Sequence, residues 1–244
     1  MKAHRLIGEA DAVVYDRLVA REIIDMIPAG VMRIDVGKRA GLHPVPQDQI
    51  NALLVRLAAS GRRVVRLKGG DPFTFGRGGE EAEALAEAGL AFEIVPGITS
   101  ASGSAAALGI PLTHRGVATS LRYITGHCRS DTELDFDWEG LADPETTLVV
   151  YMGLANIGQI AGRLVAAGLP QDTPVAAVAN GTTSRQSQVV ATLGTISSEV
   201  EAIADDGPVL FVIGKVVALA EVLGQGSVGA TRHSAATPHA LPAP

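Results

Sequence analysis

Arg66-Leu67-Lys68-Gly69-Gly70-Asp71-Pro72-Phe73-Thr74-Phe75-Gly76-Arg77-Gly78-Gly79-Glu80-Glu81 runs from a β-rich stretch, through a glycine-rich loop, into a helical pattern. Val64-Val65-Arg66-Leu67 has the branched content of a strand, and Gly79 to Ala88 has helical spacing. A loop that follows a strand and precedes a helix is the usual ligand position in an open α/β sheet. Paired glycines let the main chain approach a ligand with no Cβ in the way, and Pro72 holds Asp71 in extended backbone. No Lys-Ser/Thr pair follows the glycines and the G-x-G-x-x-G spacing is not met, so a cofactor without phosphate fits better. By itself, Gly-Gly-Asp-Pro is equally consistent with a plain strand-to-helix connection.

The same alternation continues on both sides. Upstream, Ala12-Val13-Val14-Tyr15 and Val31-Met32-Arg33-Ile34-Asp35-Val36 read as strands, and Pro46 to Ala59 as an amphipathic helix with Ile50, Leu53, Leu54 and Leu57 at helical spacing. Downstream, Phe92-Glu93-Ile94-Val95 reads as a strand and Thr99 to Leu108 as a helix of small residues. Strands separated by helices pair in parallel, because parallel strands need crossover connections. In the second half, strands are expected at Ser120–Thr125, Thr147–Tyr151, Val175–Ala179, Gln188–Leu193 and Val209–Ile213. The short polar loop Asn180–Arg185 makes the third and fourth of these an antiparallel hairpin, hence a mixed sheet. The expected division is an α/β domain over residues 1–115, a second α/β domain over 116–223, and a disordered Gly/Ser/Ala/Pro-rich tail over 224–244. The chain opens in a helix without an N-cap residue, as though beginning within an element.

Bulk properties narrow the class. Hydrophobic residues form 47% of 244, with 28 Gly and few aromatics, which suits an α/β enzyme with many turns rather than a disordered chain. The net charge of -6 argues against general nucleic-acid binding, so an anionic partner would need a locally basic surface. A lone cysteine, Cys128, leaves no intrachain disulfide or cysteine metal cluster and suits a reducing cytoplasm. No apolar run reaches the ~18–20 residues of a membrane helix. The histidines show no metal-ligand spacing, so no metal is expected.

Four more segments fall at strand ends: Tyr15-Asp16-Arg17-Leu18-Val19, Gly37-Lys38-Arg39-Ala40-Gly41-Leu42-His43-Pro44-Val45-Pro46-Gln47, Val95-Pro96-Gly97-Ile98-Thr99-Ser100-Ala101 and Gly109-Ile110-Pro111-Leu112-Thr113-His114-Arg115. With these, Tyr151-Met152-Gly153 and Val178-Ala179-Asn180-Gly181-Thr182, the chain resembles the uroporphyrinogen-III C-methyltransferases of the tetrapyrrole methylase superfamily from about Lys2 to Leu223. The resemblance implies two α/β domains, the first mostly parallel and the second mixed, with the active site in the cleft between them. It also implies a homodimer that methylates uroporphyrinogen III at C2 and C7 with S-adenosylmethionine, giving precorrin-2 through precorrin-1 and releasing S-adenosylhomocysteine. Methylation of a later precorrin, and a non-catalytic protein that holds a tetrapyrrole or dimerises, are the competing readings; the Gly37–Gln47 segment disfavours the first of these.

Residue roles follow from the same resemblance. Asp16 matches the proton acceptor and Lys38 the proton donor; by residue type alone, Asp16 is also an N-cap or a partner of Arg17, and Lys38 also a clamp for a substrate carboxylate. Gly69, Gly70, Asp71, Thr74, Thr99, Ser100, Met152 and Gly181 would surround the methyl donor, with Ala176 adding a backbone contact. Arg17, Arg39, His43, Arg77, His114 and Arg115 would hold the acetate and propionate arms of the substrate. Arg62, Arg63 and Lys68 carry less weight, since they alternate through a strand and its approach. Family members begin with one further strand and a Gly-x-Gly-Pro-Gly-Asp-type loop that this sequence lacks, so either the natural product is longer or the first domain is incomplete; poor cofactor binding or instability of the 244-residue chain is expected.

Overall fold

Short parallel strands and the helices that cover them build the first part of the chain. The computed structural model describes residues 1–37, 45–127 and 134–224, and its contacts divide into two units, Met1–Thr99 and the chain from Ser100 onward. In the first unit α1 (Lys2–Glu9) is followed by β1 (Ala12–Tyr15), α2 (Arg21–Ile24), β2 (Met32–Asp35), α3 (Gln47–Ala59), β3 (Val64–Leu67) and α4 (Gly78–Glu87). The sheet order is β2-β1-β3, with Val14 paired in parallel to Ile34 and to Arg66. As the middle strand, β1 buries Ala12, Val13 and Val14 completely, which parallel strands covered on both faces require. Alternation sends Val14 against Ile50, Leu54 and Leu57 of α3, and Val13 against Ile7 of α1 and Ile27.

One expected element is missing. Leu90–Thr99 has no regular structure, so the strand expected at Phe92–Val95 does not form. A β-rich stretch supplies only one side of a ladder, and among the described residues none pairs with it; β3 itself bonds only to β1.

The second unit comprises α5 (Ser100–Leu108), β4 (Ser120–Thr125), α6 (Trp138–Leu141), β5 (Thr146–Tyr151), α7 (Ile157–Ala166), β6 (Pro174–Ala179), β7 (Ser187–Thr192), α8 (Ile196–Glu199), β8 (Val209–Ile213) and α9 (Ala220–Leu223). Its sheet order is β4-β5-β8-β6-β7, with β4 and β5 parallel and the other pairings antiparallel, including the expected β6–β7 hairpin. One face packs Val150, Ala177, Phe211 and Ile213 against Ile157, Ile160 and Leu164 of α7. The other packs Val149, Tyr151, Val178 and Val212 against Ala101 and Leu108 of α5. Because α5 buries its apolar residues on this second sheet, contacts divide the chain at Thr99/Ser100, upstream of the division after residue 115 expected from sequence. The expected tail beyond Gly224 lies outside the described residues. No helix among the described residues is long and apolar enough to cross a membrane.

Candidate active site

In the first unit, the turns beyond the strands gather at the C-terminal edge of the parallel sheet. Gly69 lies so close to the turn after β1 that a Cβ there would sit 2.7 Å from the Leu18 carbonyl oxygen. At Gly37 a Cβ would sit 2.8 Å from the Arg17 nitrogen, and the Asp35 carboxylate accepts the Gly37 N–H at 2.8 Å. Gly97 abuts the Gly70 carbonyl just as tightly. Glycine is needed at these contacts because main chain touches main chain.

Asp71 ties this cluster together. Its Oδ1 accepts the Phe73 N–H at 2.9 Å and the Thr74 hydroxyl at 3.3 Å, while Oδ2 accepts the Gly97 N–H at 3.0 Å. Burial raises the Asp71 carboxyl, but the N–H groups of Gly97 and Phe73 and the Thr74 hydroxyl outweigh it and hold it below the usual carboxylate value. The Asp71 and Thr74 side chains therefore shape the loop, whereas the peptides of Gly69 and Gly70 are exposed. Around them stand four exposed apolar side chains, Leu18, Phe73, Phe75 and Ile98.

Asp16 ends β1 at the same edge. Its Oδ1 accepts the Leu18 N–H at 3.0 Å, and its Oδ2 accepts from Arg66 Nη2 at 3.0 Å. With a quarter of its side chain exposed, it is neither an N-cap nor a free surface charge. Arg66 also donates from Nε to Glu81 Oε1 at 3.1 Å and from Nη1 to the Leu67 carbonyl at 2.9 Å. Lys68 Nζ reaches the same Glu81 oxygen at 3.0 Å. Burial lowers the Lys68 ammonium from its ordinary value, the Arg66 charge lowers it further, and Glu81 opposes both.

This buried pairing gives Lys68 a partner within the chain, in keeping with the small weight its position carried as a holder of substrate arms. The readable signal was parity: Arg66 in β3 and Lys68 just beyond its end fall on the same side of an alternating chain, so two half-buried cations there need counter-charges. Arg77 forms the left-handed N-cap of α4, with φ of 57°, and its guanidinium grips Glu80 through bonds of 2.8 and 2.7 Å. Every cation of the 66–81 segment is thus paired with a carboxylate.

In the second unit, the start of α5 meets the ends of β5 and β6. The Tyr151 hydroxyl accepts the Ala101 N–H at 3.1 Å, which ties the first turn of α5 to the last residue of β5. Met152 adopts φ of 52° and is 53% exposed, so it is turned out of the core that its strand enters. Gly181 packs against Ser104 of α5. Its loop is fixed by Asn180, whose side-chain amide donates to both oxygens of Asp205 at 3.0 and 2.9 Å, while its Oδ1 accepts from Arg185 Nη2 at 3.3 Å. This support was not read from sequence, since Asn180 and Asp205 lie on different connections.

Ala176 is corrected. It lies in the middle of β6, fully buried, paired to Val190 on one side and Val212 on the other, so its backbone is committed to the sheet. His114 and Arg115 are exposed on a turn closed by the His114 N–H and the Ala118 carbonyl, with His114 Nδ1 3.0 Å from the Arg115 carbonyl. Arg17 is exposed in the first unit, and Thr99 ends that unit. Lys38, Arg39 and His43 lie outside the described residues.

Known proteins resemble most of the chain. Residues 1–197 match the family model for tetrapyrrole (corrin/porphyrin) methylases. A uroporphyrinogen-III C-methyltransferase of Paracoccus denitrificans is 54% identical over 221 residues, covering 91% of this chain and 77% of that one. A siroheme synthase of Citrobacter koseri is 51% identical over 226 residues; that alignment covers 91% of this chain but 48% of the relative, so the chain spans about half of its length. A solved structure of the uroporphyrin-III C-methyl transferase of Thermus thermophilus complexed with S-adenyl homocysteine matches with a TM-score of 0.72 at 36% identity, covering 89% of this chain and 91% of that one. This chain therefore belongs to the tetrapyrrole methylases.

Proposed function

We propose that this chain transfers methyl groups from S-adenosylmethionine to C2 and C7 of uroporphyrinogen III, forming precorrin-1 and then precorrin-2. The observation that carries this reading is the meeting of a constrained Asp16 carboxylate with the exposed Gly69-Gly70 peptides at one edge of the parallel sheet. The residues fit a methyl donor without phosphate: the cations of the 66–81 segment are spent on Asp16, Glu80 and Glu81, and the glycine peptides offer main-chain groups at close range. When bound, S-adenosylmethionine supplies a methyl group on a positively charged sulfur.

This chain's own residues have four tasks. Once a pyrrole carbon has gained its methyl group, the macrocycle must lose a proton, and Asp16 accepts it or steadies the positive charge on the ring. The Leu18 N–H and the Arg66 guanidinium hold the carboxylate in one orientation for that purpose. Leu18, Phe73, Phe75 and Ile98 offer the macrocycle an apolar surface, which keeps water from the reacting carbon. Arg17, His114 and Arg115, with Lys38, Arg39 and His43 by resemblance, hold the carboxylate arms; Arg77 does so only by sharing its guanidinium with Glu80. Lys38 takes the proton donor's part. Assembly as a homodimer and a cytoplasmic setting belong to the same reading.

The test is incubation with uroporphyrinogen III and methyl-labelled S-adenosylmethionine, followed by mass analysis. A product carrying two labelled methyl groups is expected. Methylation of a later precorrin but not of uroporphyrinogen III would move the activity to another substrate. Asp16→Asn is expected to slow turnover by about a hundredfold, with S-adenosylhomocysteine affinity unchanged. Equal losses in both would make Asp16 a structural residue.

A further inference from the structure

Glu81 is a buried charge that the reaction as described leaves unused. It lies in the first part of α4, with its side chain 6% exposed, and one oxygen receives three donors. These are Arg66 Nε at 3.1 Å, Lys68 Nζ at 3.0 Å and Gln47 Nε2 at 3.2 Å. Arg66 is gripped on two edges: Nε by Glu81, and Nη2 by Asp16 at 3.0 Å. Nη1 donates to the Leu67 carbonyl, so a planar group with a fixed fork geometry is held on every nitrogen. The result is an alternating row, Lys68, Glu81, Arg66 and Asp16, whose formal charges cancel. Three of the four side chains are no more than 13% exposed; Asp16, the last, is the one that reaches solvent.

We infer that Glu81 is a positioning residue, which locks the plane of Arg66 and so fixes the carboxylate of Asp16 in the orientation that the reaction needs. The inference rests on the reading of Asp16 given above. Buried ion pairs add little net stability, because desolvation offsets most of their attraction. A row of three largely buried charges under one partly exposed carboxylate therefore calls for a role other than holding the fold. Without the Glu81 charge, Arg66 and Lys68 would both depend on Asp16, and the guanidinium would lose its second edge. The anchoring spans the turn between β3 and α4 and the start of α3, since Gln47 also bonds Asn51, and Asn51 bonds the Glu80 carbonyl. The network thus couples the glycine-rich segment to Asp16 without passing through the glycines themselves.

The test is a double-mutant cycle on the full chain, reading kcat, KM, S-adenosylhomocysteine affinity and the exchange of the Arg66 Nε–H by NMR. Glu81→Gln is expected to lower kcat by at least tenfold, with KM and S-adenosylhomocysteine affinity within twofold and faster exchange of the Arg66 Nε–H. Glu81→Asp, which keeps the charge, is expected to recover part of the loss. In an Arg66→Lys background, where one amine cannot be held on two edges, Glu81→Gln is expected to cost less than twofold further. The inference is overturned if Glu81→Gln loses melting temperature but not kcat, or if it costs the same factor in both backgrounds. Should Glu81→Gln not fold, Glu81→Asp carries the same cycle and the same criteria. If Asp16→Asn slows turnover while the Glu81 variants do not, the inference alone fails. If Asp16→Asn leaves turnover intact, the reading of Asp16 fails first.

Discussion

At Asp71, two backbone N–H groups and a hydroxyl converge on one carboxylate, and none of the three comes from a ligand. From its place in Gly-Gly-Asp-Pro it was expected beside the methyl donor; its bonds show that the side chain's work is to hold the loop after β3 to Gly97. Its carboxyl is held below the ordinary value, so it contributes stability that is complete above the unfolded-state value, near ~3.9, and lost as pH falls through the lower folded-state value. Asp71→Asn is therefore expected to destabilise the protein by about 1–2 kcal/mol at neutral pH. The difference should shrink as pH falls below about 4. Urea denaturation of both proteins across that range checks it; a constant difference would mean that the charge plays no part. Residue types alone could not have shown this, because a carboxylate meant for a ligand and one meant for a loop look alike. Arg66 and Lys68 were hidden for a related reason: Glu81 and Asp16, their counter-charges, lie 13 to 50 positions away along the chain.

Elements were legible where their pattern is local and illegible where it depends on a partner. The β6–β7 hairpin follows from two β-rich runs and a short polar loop, and its antiparallel ladder forms as that reading requires. Phe92–Val95 has the same local character and makes no strand, because composition cannot supply a neighbour. The helix α5 falls between these cases. Its span was readable, but its small residues, Ser100-Ala101-Ser102-Gly103-Ser104-Ala105-Ala106-Ala107-Leu108, give no amphipathic stripe to say which sheet it covers. Only Ala101 and Leu108, packed beside Val149 and Val212, show that it belongs to the second unit. Its first turn is completed by the Tyr151 hydroxyl, which accepts a backbone N–H that the helix leaves unpaired. Tyr151→Phe removes that acceptor in a buried place, and a loss of about 1–3 kcal/mol is expected. Chemical denaturation measures it, and a change below about 0.5 kcal/mol, the level of neutral surface substitutions, would show the N–H satisfied elsewhere.

Across the whole molecule, the two units differ in how deeply their strands are buried, and this sets where the fold opens first. In the second unit every residue of β5 and β8 is buried, and β6 is buried from Val175 to Ala179. In the first unit β2 is largely exposed and β3 only half-buried, with Leu90–Thr99 lacking regular structure. Local opening follows burial and ladder pairing, so exchange of backbone hydrogens is expected to be slowest in β5, β6 and β8 and fastest in β2 and residues 90–99. The site residues in the first unit thus lie on its more labile side, where a ligand that binds only the folded form has most to protect. Adding S-adenosylhomocysteine should slow exchange at Gly69–Asp71 and around Thr99–Ser100, at Met152 and at Gly181, while leaving the locally opening β2 unchanged. Protection confined to β2 or α2 would place the ligand away from the glycine-rich loop, and the site would have to be sought on another edge of the sheet.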